Sequence, residues 1–379
     1  MNKFNDEEQM ILSTIDQICE EKVLPRAAEI DATDEFPEDL RQLFAEQGIY
    51  SLIFEEQYGG VGASLQCYCA ALQKFGRVSG SVSMMVAVHS LGSTPIILYG
   101  SEEMKERVFP RLASGEALIA FALTELAAGS DVNRIASTAV KKGDKYIING
   151  SKCFITGGSV ADYFCVFAQV IEAGEKKLSV FLVEKDQPGV QISRNEEKMG
   201  LKGSPTTQLY FENVEVTEDN IIGKISDGAK IAFNTLNKGR LCTSAQAIGI
   251  AQGALDVAAE YAKGRVQFGK SIAEFQAVQL MLADMETDIQ AARALLEKSI
   301  EMYEAKSAEL VKFSSMTKLL ATDMVMRVTT NAVQVMGGYG YCKDYPVERM
   351  MRDSKIFAIF EGTNQIQRIL IAKQLLSEY

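Results

Sequence analysis

Apolar residues return every three or four positions through the first third of the chain. Ile11, Ile15, Ile18 and Leu24 keep that spacing behind Asn5 and Glu8, an Asn-x-x-Glu capping pair, and predict an amphipathic helix from Asn5 to about Asp34. A second helix is expected from Pro37 to Gln47. Helical patterns resume through Leu72 and Phe75, through Ser83-Met84-Met85-Val86, and behind Ser101, a capping residue, into Glu102-Glu103-Met104. The glycine cluster Gln57-Tyr58-Gly59-Gly60-Val61-Gly62 reads as a tight turn or as a ligand cradle.

Around Phe121 the period changes to short β-branched and aromatic runs. Residues 137–140 and 146–148 flank Lys142-Gly143-Asp144 as in a hairpin, and further strands are expected at 164–170, 178–183, 190–192, 208–211 and 214–216. This middle third predicts a small antiparallel β domain, a barrel or sandwich. After about Asp227 the helical period returns. It runs through residues 246–263, then through Val278, Met281, Met285, Ile289, Ala292, Leu296, Ile300 and Tyr303, and again at 327–336 and 366–376, lengths typical of a bundle. The expected fold is α+β: an all-α domain over 1–120, a β domain over 121–228 and a helical bundle over 229–379.

A length of 379 residues suits two or three domains, and 47% hydrophobic with 23% charged residues is a globular balance. The net charge of −11 argues against a nucleic-acid binder, so an anionic ligand would need local arginines or helix N-termini. The N-terminus shows no apolar signal core, and no apolar run is expected to reach the roughly 18–20 residues that span a bilayer, which makes a cytoplasmic protein away from membranes the default. Seven scattered cysteines without a CxxC pair predict reduced, mostly buried thiols. One histidine, His89, nearly excludes a zinc site or a histidine triad; no metal is expected, and acid–base work falls to carboxylates with a bound cofactor for any redox step.

The carboxylate singled out is Glu361, set between Phe360 and Gly362. Poor solvation there would raise its pKa and make it a better base at neutral pH, while Gly362 would let a ligand approach the backbone. The competing reading is an ordinary acid before a helix, favoured by the dipole. Asn364 with Gln367 reads as a capping box opening the run Ile366, Ile369, Leu370, Ile371, which puts Glu361 on a loop at a helix mouth.

Four other stretches are distinctive. In the first, from Phe121 to Asp131, Thr124, Gly129 and Ser130 offer hydroxyls and amides that suit a flavin edge or acyl carrier, or an ordinary loop of small residues. In the second, Phe154 and Thr156 stand two apart on a strand and share one face, where a planar ring could stack; a core phenylalanine is the commoner use. In the third, Arg265 in RVQFGK, followed by Phe275 and Gln276, could meet a pyrophosphate or simply cap a helix. In the fourth, QVMGGYGY from Gln334 to Tyr341, glycines lie close enough for backbone approach to a phosphate, without the strand-then-GxGxxG context of a Rossmann site.

Taken in order, FALTE with AAGSD, KCFITGG, NKGR, RVQFGK with FQ, QVMGGYGY and IFEGTNQIQR resemble the acyl-CoA dehydrogenases over essentially the whole chain. The resemblance implies a homotetramer with FAD between the β domain and the last domain, closed over by a neighbouring subunit. It implies that Phe121, Leu123, Thr124, Gly129 and Ser130 with Phe154, Ile155 and Thr156 hold the isoalloxazine, Ser130 also lying near the acyl-CoA. Arg265, Gln267, Phe275, Gln276, Gln334, Val335, Met336, Gly337 and Gly338 would bind the pyrophosphate and adenosine side. Asn237, Lys238, Gly239 and Arg240 would line the acyl-CoA site together with Gly362, and Thr363, Asn364 and Gln365 would touch the flavin again. Glu361 would remove the α proton of a thioester while hydride leaves the β carbon for flavin N5. Relatives that carry the base elsewhere place it where this chain has Gly239, which cannot serve.

Three departures stand out. Leu126 replaces the proline usual after Thr-Glu, Asn237 replaces a common aspartate, and Phe154 stands where many relatives have tryptophan. In the last feature the chain is most similar to the butyryl-CoA dehydrogenases and caffeyl-CoA reductases of anaerobic bacteria. Those exchange electrons with an electron-transferring flavoprotein, some in NADH-driven electron bifurcation, so either an acyl-CoA dehydrogenase or an enoyl-CoA reductase direction is open. A flavin oxidase on this fold and a non-catalytic binding scaffold are the alternatives.

Overall fold

The computed structural model describes residues 4–172 and 175–379. The first capping box closes as its residues dictate: Glu8 N donates to Asn5 Oδ1 at 2.8 Å and Asn5 N to Glu8 Oε2 at 3.3 Å, starting α1 (Asp6–Ile18). The helix expected to run to Asp34 is interrupted. Cys19–Val23 widens into a π turn and Leu24–Arg26 tightens into a 3-10 turn before α2 (Ala27–Thr33), because Pro25 has no N–H to continue the ladder. α3 (Glu38–Glu46), α4 (Leu65–Val78), α5 (Gly80–Tyr99) and α6 (Glu102–Ala113) complete the first domain, the last three started by Ser64, Ser79 and Ser101 accepting backbone N–H bonds. The cluster at 57–62 is a turn: a Cβ on Gly60 would overlap the Phe54 carbonyl.

α5 corrects one expectation. By length and composition its 20 residues could cross a membrane, yet 78% of its most apolar window is buried inside the fold. It packs on α4 and on strand β1 (Ile119–Ala122), so its apolar surface serves as core.

The β domain continues with β2 (Thr138–Lys142), β3 (Lys145–Thr156), β4 (Tyr163–Glu172), β5 (Glu175–Glu184), β6 (Val190–Ile192), β7 (Thr206–Thr217) and β8 (Ile221–Ile222). Their order is β6-β7-β3-β2-β4-β5-β8, with β1 also on β4. The expected hairpin joins β2 to β3, but the sheet is not purely antiparallel: β1 and β2 both run parallel to β4. The two runs expected at 208–211 and 214–216 are one strand, bent at Asn213, whose φ is 52°.

The last domain holds α7 (Gly228–Gly264), a small hairpin of β9 (Val266–Gln267) and β10 (Lys270–Ser271), α8 (Gln276–Glu304), α9 (Leu310–Met336), α10 (Val347–Ser354) and α11 (Asn364–Leu376). α7 packs most heavily on α9 and α4. Against α4 the backbones nearly touch, since a Cβ on Gly249 or Gly253 would overlap the carbonyls of Gln73 and Arg77. α10, which leads to the Glu361 loop, is pinned to the other domains. Arg352 forks onto Asp31 at 2.9 and 2.6 Å and donates to Met199 O, while Asp353 accepts from Leu201 N at 2.6 Å. Six cysteines are buried and Cys342 is exposed, all as free thiols. His89 is buried, its Nε2 3.0 Å from Leu112 O, and burial lowers its pKa to about 4.

Candidate functional site

After α10 a short 3-10 turn, Lys355–Ala358, delivers the chain into two consecutive left-handed residues, Glu361 at φ 52° and Gly362 at φ 90°. For a glutamate this conformation costs about 1–2 kcal/mol, so the surroundings must hold it. They do so through the Gly362 carbonyl, which accepts from Lys318 Nζ at 2.8 Å and from Gln367 Nε2 at 3.0 Å. The expected capping box at Asn364 is not formed. Thr363 is the cap of α11, accepting from Ile366 N, and the Asn364 amide is drawn inward to Thr322, Asp323 and Lys318. That leaves Asn364 only its backbone for a ligand, whereas Gln365 is exposed.

The turn sends the Glu361 carboxyl towards α7. Its Oε2 fills the space a side chain at Gly239 would need, with Leu91 on the other side. Oε2 is buried and closes no hydrogen bond of good geometry; the Thr243 hydroxyl, which acts on the carboxyl, has no other partner. Burial raises the carboxyl to about 7, opposed by Lys318, by Thr243 and by Arg240. A carboxylate titrating there is half ionised at neutral pH and more basic than a solvated one.

Two cations face it, Arg240 and Lys318. Arg240 is 3% exposed, with Nη1 donating to Asn237 Oδ1 at 2.9 Å and Nε unpartnered; burial lowers it to about 10. Lys238, buried on the same helix and shifted down by desolvation, faces Cys242 and Cys69 and not the carboxyl. Lys318, inside α9 and 0% exposed, was not singled out in the sequence; its signal is a lysine in phase with Ser314, Ser315 and Thr322 on a buried face.

A second cluster lies on the β domain. Thr124 O accepts from Cys153 N at 2.9 Å, which brings the 121–130 stretch against β3. Phe121 packs edge-on to Phe167, Leu123 is buried, and Gly129 and Ser130 are exposed. The loop is fixed from within by Glu125, which takes N–H bonds from Ala136 and Ser137 and an ion pair from Lys152 at 2.6 Å. Phe154 does not follow plain strand alternation: β3 bulges between Lys152 and Ile155, and Phe154 takes φ 56° and is 65% exposed. Ile155 is buried while Thr156 stays partly open, so an unclothed aromatic face and hydroxyls at 124 and 156 share one region.

A third cluster is a groove of about 520 Å³ that gathers Arg265, Gln267 and residues 335–338 with Tyr339; the Arg265 guanidinium sits 5.4 Å from the Tyr339 ring centre. Phe275, Gln276 and Gln334 do not line it. Arg240 and Arg265 are both on or next to α7, and 25 residues at 1.5 Å each set them about 38 Å apart. The groove and the Glu361 pocket are therefore separate places on one chain.

Family models for the acyl-CoA dehydrogenase N-terminal, middle and C-terminal domains match residues 5–116, 120–214 and 226–376. An acyl-CoA dehydrogenase of Bacillus subtilis is 44% identical over 372 residues, 98% of either chain. Butyryl-CoA dehydrogenase from Megasphaera elsdenii superposes with a TM-score of 0.95 at 38% identity, covering 99% of this chain and 100% of that one. A chain from a structural study of the electron transferring flavoprotein of Acidaminococcus fermentans and flavin-based electron bifurcation gives 0.95 at 41% identity, with 99% of both covered. The chain belongs to the acyl-CoA dehydrogenase family, FAD-dependent oxidoreductases that act on the CH–CH bond of acyl-CoA thioesters.

Proposed function

We propose that Glu361 is the base that takes the α proton of the thioester, and that the chain interconverts an acyl-CoA and its 2,3-enoyl-CoA. The observation that carries this is the buried, unpartnered Oε2 of Glu361, held against Gly239 by a strained turn and raised to about 7. Such an atom is free to accept a proton and basic enough to do so at neutral pH. As in the family, the Glu361 N–H would polarise the thioester carbonyl. Asn237 and Arg240 would supply the polar, cationic side of the acyl-CoA site, with Lys238 buried behind them.

The residues present fit FAD. Exposed Phe154 with Thr124 and Thr156 offers a stacking face and hydroxyls, and Arg265 in the groove offers a charge for a pyrophosphate. When bound, the flavin supplies the hydride acceptor at N5. Because the groove lies about 38 Å along α7 from Arg240, we read it as serving a neighbour's cofactor in a homotetramer, with Phe268 at the hairpin tip, 95% exposed, covered by that neighbour. The electron partner is an electron-transferring flavoprotein, supported by the likeness to the Acidaminococcus fermentans chain. The division at 120/121 and 228/229 belongs to the same reading.

The test is a panel of acyl- and enoyl-CoA thioesters against the FAD-loaded protein under anaerobic conditions. Bleaching by one acyl-CoA, with recolouring by its enoyl product or by the partner flavoprotein, supports the reading. Fast reoxidation by air alone points to an oxidase, and protein that takes up no FAD to a scaffold. Gly239→Ala gives a local check: its methyl group would displace the carboxyl, so flavin reduction should slow about tenfold to a hundredfold with FAD content unchanged. Stopped-flow absorbance measures it.

A further inference from the structure

We infer that Lys318 is a positioning residue for Glu361: from inside α9 it fixes the 361–364 turn and sets a buried positive charge beside the carboxyl. The inference rests on the reading of Glu361 as the base.

A lysine with no exposed surface in the middle of a helix is costly unless its charge is answered. The hydrogen-bond partners of Lys318 Nζ are neutral: Gly362 O at 2.8 Å and Asn364 Oδ1 at 2.9 Å. Asn364 is itself held by Thr322 and Asp323, so the ammonium is tied to both ends of the turn that aims Glu361. Burial lowers Lys318 to about 8, which leaves it mostly charged at pH 7; Glu361 from the loop works against that shift, Arg240 facing it from α7 adds to it, and Asp323 on its own helix, shared with Arg368 at 2.7 Å, opposes it. Seen from Glu361, the facing charges are Lys318 and Arg240, and Lys318 acts the more strongly.

When Glu361 takes up a proton, the attraction to Lys318 is lost. A charged Lys318 therefore favours the ionised, proton-accepting carboxylate and offsets part of the effect of burial. A purely structural lysine would change how well the turn is formed. It would not change where the carboxyl titrates.

The experiment is the pH profile of flavin reduction at limiting acyl-CoA, using FAD-loaded protein of Lys318→Met, Lys318→Gln and Lys318→Arg beside the unaltered chain. Lys318→Met should move the acid limb up by about one pH unit or more. Lys318→Gln removes the charge while keeping an N–H donor, and should move it the same way, covering the case in which methionine does not fold. Lys318→Arg should return the limb close to its original position. An acid limb unmoved in the folded neutral variant, even with a uniformly lower rate, overturns the inference. Glu361→Gln, measured alongside, separates the two readings: if it keeps the original rate and limb, the base reading itself fails; if it loses them while the lysine variants do not shift, only the role of Lys318 fails.

Discussion

Glu361→Gln should reduce anaerobic flavin bleaching by acyl-CoA by about 10²–10⁴-fold while FAD stays bound, the loss typical for removing a general base. Glutamine keeps the size of the side chain and can occupy the space opposite Gly239, so the change is chemical. A second consequence is thermodynamic. The folded carboxyl titrates at about 7 against an ordinary 4.5, so its favourable contribution is full below about 4.5 and is lost as pH rises through 7. Above that the buried charge destabilises the fold by up to about 3 kcal/mol. Glu361→Gln should therefore gain in melting temperature over the unaltered protein at pH 8 and lose that gain towards pH 5. Equal melting temperatures at both pH values would mean that the carboxyl is solvated.

Lys152→Met should cost about 3–5 kcal/mol of stability and loosen FAD binding, as expected when one partner of a buried ion pair is removed. Lys152 and Glu125 have side chains 0% and 7% exposed and meet at 2.6 Å. Burial pushes the lysine down to about 8, and Glu125 works against that shift. Lys152 also donates to Leu123 O at 3.1 Å, and Glu125 holds the amides of Ala136 and Ser137, so the pair ties both ends of the 123–137 loop to β3. Without the lysine, Glu125 would be a buried charge answered only by two N–H groups. Replacing both with Met and Leu should recover much of the stability but not the FAD affinity, since the amides at 136 and 137 would then lose their acceptor. Thermal melts with flavin fluorescence during dialysis measure both effects.

The helices were legible in the sequence wherever one face is apolar, as in α8, where Met285, Ile289, Ala292, Leu296 and Ile300 are the buried positions. The first half of α9 was not, because its buried face carries Ser314, Ser315, Thr317, Lys318 and Thr322. These side chains satisfy one another and the Glu361 turn, so they show no apolar stripe to read. In the β domain the runs and the β2–β3 hairpin were visible, and the parallel pairing was not. Parallel contact of β1 and β2 with β4 depends on chain crossings that no local pattern encodes. Asn364 shows the same limit at one residue: Thr363 and Asn364 both suit a cap, and the choice is made by Thr322, Asp323 and Lys318, more than forty positions away in the chain. Glu361 stood out because its neighbours are an aromatic and a glycine. The groups that tune it, Lys318 and Thr243, lie on two other helices.

The most direct test of Glu361 as the base is the pH dependence of single-turnover flavin reduction at limiting acyl-CoA. The account predicts a rate that rises with pH and is half-maximal near pH 7, with that inflection gone in Glu361→Gln. A flat profile in the unaltered protein, or the same inflection in the glutamine variant, would contradict it.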